Sequence, residues 1–321
     1  MTGTTPRQAA RTPGITEQGA LRFSIATTPA VAALGIVFGW LSGSFAIVFD
    51  GVYSLVDGAM TMIALLVSRL IAGYAAVGAQ DRRFADRFTM GFWHLEPMVL
   101  ALNGLMLSGA AVYAFINAVG SLFDGGRPLQ FGQAIVYAAI TLLACSAMSV
   151  FALRVNRRLR SQLVALDAKG WMMSGAITAA LLLAFVGGAL VEGTALAWIA
   201  PYIDPAVLAL VCVVIIPMPL GTIRQALADI LLVTPVELKR EVDAVAAATV
   251  ARHGFLSYRA YVARVGRGRQ IELYFIVPAG LPARTLEAWD AIRDEVGDAL
   301  GAASPDRWLT IVFTSDIEWA E

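Results

Sequence analysis

Histidine, cysteine and charge are all scarce in this chain, and each shortage removes a class of function. Only two histidines and two cysteines occur among 321 residues. Cys145 and Cys212 both lie inside apolar runs, and neither their number nor their spacing suggests a disulfide framework or a zinc–thiolate site. A membrane-embedded enzyme would need His and acidic residues gathered near one interface, which two histidines argue against. No nucleotide loop, nucleophile–base pair or redox motif is present. The formal net charge is zero, so nothing favours nucleic acid as a partner. Residues 1–22 are polar and lack the apolar stretch of a signal peptide, and they are expected to form a disordered cytosolic tail.

Apolar sequence is abundant. The chain is 58% hydrophobic and 15% charged, against about a quarter charged in an ordinary soluble domain. The excess is concentrated in residues 23–224, and normal charge density returns in residues 235–321. Crossing the hydrocarbon core takes about 20 mostly apolar residues. Six spans are expected, near 24–42, 45–73, 95–122, 132–155, 163–190 and 204–223. Helices are required, because open strands would leave backbone groups unsatisfied in lipid.

Arginine sets the orientation. Arg7, Arg11 and Arg22 precede span one, Arg82, Arg83 and Arg87 follow span two, and Arg154, Arg157, Arg158 and Arg160 follow span four. The three opposite connections hold only Arg127. The positive-inside rule then places both termini in the cytoplasm of a multi-pass inner-membrane protein.

The C-terminal segment reads as α-β-β-α-β. Helices are expected over Glu237–Arg252, with Gly254 as C-cap, and over Leu286–Leu300. Strands are expected over Leu256–Val265, Gln270–Val277 and Trp308–Thr314, the first two joined by a hairpin at Gly266-Arg267-Gly268-Arg269. The fold class is thus an α-helical membrane protein, a six-helix transmembrane bundle with a small cytosolic α+β domain that could also serve in dimerisation.

Carboxylates inside membrane helices are costly and are functional candidates by default. In span two, Asp50, Tyr53, Ser54 and Asp57 follow i, i+3, i+4, i+7 spacing and share one helix face. Such an oxygen-bearing stripe could line a hydrated cavity or bind a hard or borderline cation. Alternatively Asp50 is solvated at the outer interface, while Asp57 lies nearly two turns deeper. Span three opens with His94-Leu-Glu96-Pro97, where Glu96 reads either as a helix-dipole partner or as a ligand. Asn103 could face the interior or bond between helices. In span five, Asp167, Gly170, Trp171 and Ser174 share a face, with Asp167 also readable as a solvated helix start and Trp171 as an interfacial anchor.

These features resemble the cation diffusion facilitator family of divalent-metal transporters. The likeness rests on Asp50-Gly-Val-Tyr-Ser-Leu-Val-Asp57, Arg87-Phe-Thr-Met-Gly-Phe-Trp-His-Leu-Glu-Pro97 and Asp167-Ala-Lys-Gly-Trp-Met-Met-Ser-Gly175. Tyr258–Arg264, Ile271–Pro278 and Leu309–Asp316 extend it through the tail. The resemblance implies a homodimer that moves Zn²⁺, Mn²⁺, Fe²⁺, Co²⁺ or a similar ion in exchange for protons, with metal as cargo and no resident cofactor. It also implies four ligands, a pair at i and i+4 from each of spans two and five. Those positions fall here on Tyr53 and Asp57 and on Gly170 and Ser174, so Asp57 is the single acid among them. A modified site of Asp50, Asp57 and Asp167, with Tyr53 and Ser174 as neutral donors, is the expectation. Its oxygen-rich character leans toward Mn²⁺ or Fe²⁺ over Zn²⁺. Asp86 and Glu96 are expected near the cytoplasmic mouth. His253 is the tail's only histidine, which argues against metal sensing there. The rival expectation is a family member that has lost transport and acts as a scaffold or heterodimer partner.

Overall fold

Long runs of Ala, Leu, Val and Ile without competing charge leave the backbone no partner but itself, and they fold as helices. The computed structural model of the protein describes residues 17–76, 91–159, 162–301, 303–304 and 306–321. Its elements are α1 (Glu17–Ser42), α2 (Phe45–Ala76), α3 (Leu95–Phe123), α4 (Phe131–Leu159), α5 (Gln162–Val191), α6 (Ala200–Ile215), α7 (Leu220–Ile230), α8 (Val236–His253), β1 (Ser257–Val265), β2 (Gly268–Ile276), α9 (Leu286–Ala299) and β3 (Arg307–Thr314). Among the described residues six stretches are long and apolar enough to cross a membrane, the last being Ala197–Ile230.

That last stretch differs from the expected continuous span. It is helical over α6, turns through Ile216-Pro217-Met218-Pro219, and resumes as α7. Pro217 and Pro219 have no N–H to continue the ladder, which breaks the helix there. The span also starts earlier than residue 204. Pro201 sits in the first turn of α6, where a missing N–H costs nothing. Pro205 leaves the Pro201 carbonyl without its helical donor, and the Arg127 amide supplies one at 2.8 Å.

The chain divides into two units, Met1–Met62 with Met106–Met218, and Ile63–Leu105 with Pro219–Glu321. In the first, α1 and α2 cross at glycines. A Cβ on Gly35 would lie 2.9 Å from the Gly51 Cα, and one on Gly39 would lie 2.6 Å from the Val48 amide nitrogen. Gly35 and Gly39 form the GxxxG spacing that lets membrane helices approach closely. The core of this unit is built from Ile47, Phe49, Tyr137, Leu181, Phe185 and Leu208. Val37, Leu143, Leu183, Leu190 and Leu210 point outward and are exposed, as side chains that meet lipid should be.

The second unit contains the C-terminal domain in the expected αββαβ order. β1 and β2 pair antiparallel from Ser257↔Ile276 to Val265↔Gly268, and β3 lies parallel to β2. The turn is therefore two residues, Gly266 and Arg267. Gly266 has φ +60° and Arg267 is not among the positive-φ residues, the type II′ pattern that suits a twisted hairpin. Ile271, Leu273 and Phe275 alternate onto one buried face of β2. Val242 and Ala246 of α8 and Ile292 and Val296 of α9 belong to the same core. Gly254, at φ +68°, ends α8 as expected.

Candidate functional site

Polar groups on the membrane helices of the first unit fall into three clusters. The first joins α2 to α4. Asp50 accepts a hydrogen bond of 2.9 Å from the Tyr137 hydroxyl, and Tyr137 is only 1% exposed. Gly35 makes room for it, since a Cβ there would sit 2.9 Å from the Tyr137 oxygen. Asp50 is thus tied to a buried phenol rather than left to solvent alone. One face of α4 continues the polar line through Thr141, Cys145 and Ser149 at successive four-residue steps. The Cys145 thiol lies 3.6 Å from the Ser174 hydroxyl on α5, within the looser range of a sulfur hydrogen bond. Ser174 and Asp50 accordingly approach the same stripe of α4 through Cys145 and through Tyr137, a residue that sequence reading did not single out.

The second cluster joins α1 to α5. The Trp171 indole N–H donates to Ser24 Oγ at 2.7 Å, and the Ser24 hydroxyl donates to Asp167 Oδ1 at 2.7 Å. Trp171 and Ser24 are buried. Asp167 and Trp171 are four residues apart on α5, so Ser24 bridges one face of that helix. Trp171, expected as a possible interfacial anchor, is instead an internal donor. Lys169 and Gly170 are exposed, and a Cβ added to Gly170 would meet nothing within 4 Å.

Of the remaining stripe residues, Tyr53 is half-buried with its ring 5.6 Å from that of Phe49, and Asp57 is exposed. Among the described residues no three His, Cys, Asp or Glu side chains converge on a point where a metal ion could sit. Asp50, Asp57 and Asp167 are therefore not gathered into one cluster. The third cluster centres on Asp204 of α6, a buried acid at the first residue of the expected sixth span that sequence reading did not name as a candidate.

In the second unit, Glu96 occupies the first turn of α3 and is ion-paired. It accepts from Arg267 Nε at 2.9 Å and from the Arg267 amide at 3.3 Å. Asp86, expected beside it, lies outside the described residues. Nearby, a cavity of about 320 Å³ is lined by Trp93, His94, Met98, Asp229, Gln270 and Trp308 among others. Its carboxylate is already engaged, since Asp229 accepts from Gln225 Nε2 at 2.7 Å and from Arg264 Nε at 3.3 Å.

Six helices long and apolar enough to cross a membrane, followed by a small α+β domain, define a polytopic membrane protein. The chain belongs to the cation efflux family, whose transmembrane domain matches residues 21–231. It is similar to the cation-efflux pump FieF of Klebsiella pneumoniae, 31% identical over 174 residues that make up 52% of this chain and 55% of that protein. The pump of the same name from Citrobacter koseri is 31% identical over 152 residues, 46% of this chain and 48% of that one. That of Salmonella choleraesuis is 30% identical over 173 residues, 52% and 55% of the two chains. The chain spans about half the length of the curated relatives it matches.

Proposed function

We propose that this protein carries divalent metal cations out of the cytoplasm across the inner membrane by alternating access, as a homodimer and in exchange for protons. Membership of the cation efflux family supports the class of activity. The observation that carries the reading at residue level is the stripe of Asp50, Tyr53, Ser54 and Asp57 on a helix apolar enough to span the bilayer. Acids in such a place are retained at a cost of at least a few kcal/mol each.

Geometry sets how these groups would share a cargo ion. Seven residues of helix separate Asp50 from Asp57 by roughly 10 Å along the axis, whereas metal–oxygen bonds are about 2.0–2.6 Å. One ion does not touch both carboxylates at once. Each carboxylate therefore serves a different level of the path, completed by neutral oxygens. Asp57 with Tyr53 is the principal cargo level, Asp50 and Ser174 belong to the level reached through α4, and Asp167 to the level next to Ser24. A path of single carboxylates and hydroxyls favours Mn²⁺ or Fe²⁺ over Zn²⁺. A carboxylate vacated by the ion is the natural site for the counter-proton, and Glu96 and Asp86 draw cations toward the cytoplasmic mouth.

One observation favours a second reading. The family's fifth-span ligand position is Gly170, which brings no side chain at all. A family member without transport, assembling with another chain, would look the same at that position. Flux of Mn²⁺, Fe²⁺, Co²⁺ and Zn²⁺ in proteoliposomes with an imposed pH gradient separates the two. Saturable flux supports transport, and none from folded protein supports the partner role.

A further inference from the structure

Asp204, near the start of α6, is 1% exposed. One of its oxygens accepts a hydrogen bond from the Ser44 hydroxyl, and the other accepts from the Phe45 amide at 3.0 Å. Ser44 is equally buried, and its hydroxyl also accepts from the Ile47 amide at 3.1 Å. Ser44 and Asp204 between them satisfy two of the N–H groups that every helix leaves open at its start. The carboxylate also meets the positive end of the α2 dipole. The Arg127 guanidinium stands 5.1 Å over the Phe45 ring, and its charge acts on Asp204.

All of this lies at the end of the first unit that carries the connections 43–44, 124–130 and 192–199, the end without the arginine-rich loops. There the crevice between Phe45, Asn117, Ser121, Arg127, Asp204 and Leu208 is too narrow to admit a water molecule. Inside it the buried Ser121 hydroxyl has no hydrogen-bond partner. Neither the cargo stripe nor the core needs a carboxylate at this point. Apolar packing would hold α6 against α2 without the desolvation cost of a buried acid. What the acid adds is direction and reversibility. When α2 and α6 part, water hydrates both the carboxylate and the exposed N–H groups, so the joint opens without stranding a charge.

We infer that Asp204 is a positioning residue for α2 and the latch that keeps this end of the bundle closed. α2 carries the cargo stripe, and Asp50 lies six residues beyond Ser44, about 9 Å along the helix. Release of the Asp204–Ser44–Phe45 joint is then the step that opens the stripe to the side opposite the arginine-rich loops. The role of the latch in cargo release rests on the transport reading above, but its existence does not.

Cys212 provides the test. It is fully buried, eight residues beyond Asp204 on α6 and thus about 12 Å deeper. Full-length protein in lipid nanodiscs is treated with a water-soluble maleimide, and mass spectrometry counts modification of Cys212 separately from Cys145. Asp204→Asn and Asp204→Ala are expected to speed Cys212 labelling by about tenfold or more at unchanged melting temperature, as local opening would. Asp204→Glu should restore protection to within about threefold of the original. Ser44→Ala, which removes the hydroxyl between Asp204 and the Ile47 amide but leaves the Phe45 amide on the carboxylate, should give a smaller rise and covers the case in which the Asp204 variants do not fold. In flux measurements Asp204→Asn should raise the apparent KM on the loading side, because a smaller fraction of molecules is ready to load. Equal protection of Cys212 in all well-folded variants overturns the latch. So does labelling that rises only as the melting temperature falls, which marks a purely structural cap. Labelling requires no cargo, so a protein that moves no cation defeats the transport reading while the latch is judged on Cys212 alone.

Discussion

The Tyr137 hydroxyl reaches Asp50 at 2.9 Å through a gap that exists because residue 35 is glycine. Three helices meet in this contact, with α1 supplying the space, α4 the donor and α2 the carboxylate. Tyr137→Phe removes the donor and leaves the carboxylate without it. The expected cost is about 1–3 kcal/mol, the range for stranding a buried polar group, read as a lower melting temperature of the purified protein. Gly35→Ala should mimic it, because the added methyl occupies the hydroxyl's place. Loss of stability in Gly35→Ala and none in Tyr137→Phe would show that the α1–α2 crossing matters and the hydrogen bond does not.

Ser24 stands between Trp171 and Asp167 as acceptor to one and donor to the other. Ser24→Ala therefore breaks two hydrogen bonds with one oxygen. It should destabilise more than Trp171→Phe, which breaks one, by about 1 kcal/mol. Thermal unfolding of the two variants side by side gives the comparison.

The hairpin tip of the C-terminal domain rests on α3. A Cβ on Gly268 would fall 2.6 Å from the Trp93 ring, and one on Gly266 would fall 3.1 Å from Glu96 in a left-handed backbone that resists it. Gly268→Ala should loosen the tip, seen as faster amide exchange in residues 264–269. The Arg267–Glu96 pair is about a third exposed, so a double-mutant cycle should return only about 0.2–1 kcal/mol. If Glu96 draws cations to the mouth, Glu96→Gln raises the KM for flux and leaves the maximal rate unchanged.

In the C-terminal domain, Glu295 of α9 is bonded by His253 Nε2 at 3.1 Å and by Arg252, both at the end of α8. The His253 hydrogen bond, followed by the Arg252 and His253 charges, holds the Glu295 carboxyl below the usual glutamate range. A carboxyl lowered on folding contributes stability above its unfolded pKa, about 4.3, and loses it as pH falls through the lower folded value. The α8–α9 contact should thus weaken only in acid, and modestly, since the Glu295 side chain is about a third exposed to solvent. Protection factors at the C-terminal end of α8, which allow for the slower intrinsic exchange in acid, should fall from about pH 5 to about pH 3, and Glu295→Gln should flatten that fall.

Much of this architecture can be read directly from the chain. The C-terminal strands and helices fall within two residues of expectation, because period-two and helical patterns there are punctuated by Gly254 and Gly266. Five of the six spans are equally plain, since lipid-sized apolar runs have few alternatives. The sixth is not, because Pro201 and Pro205 look like loop residues until the helix start and the Arg127 amide account for them. Asp204 lies between these two prolines. The stripe on α2 is legible from spacing alone, but its partners are not. Tyr137 is 87 residues from Asp50 and Ser24 is 143 from Asp167, and helical periodicity within one span carries no information about which face of another it meets. A polar line at positions 137, 141, 145 and 149 was the available signal for α4.

The central claim is that Asp57 carries the cargo, and flux through proteoliposomes of the purified protein tests it most directly. With an imposed pH gradient, the protein should move Mn²⁺ or Fe²⁺ saturably and in preference to Zn²⁺. Asp57→Asn, equally well folded, should lose about 90% or more of that flux, as removal of the charged group at a cation level would. Unchanged flux in Asp57→Asn would contradict the assignment of the site, and no flux for any ion from the folded protein would contradict transport itself.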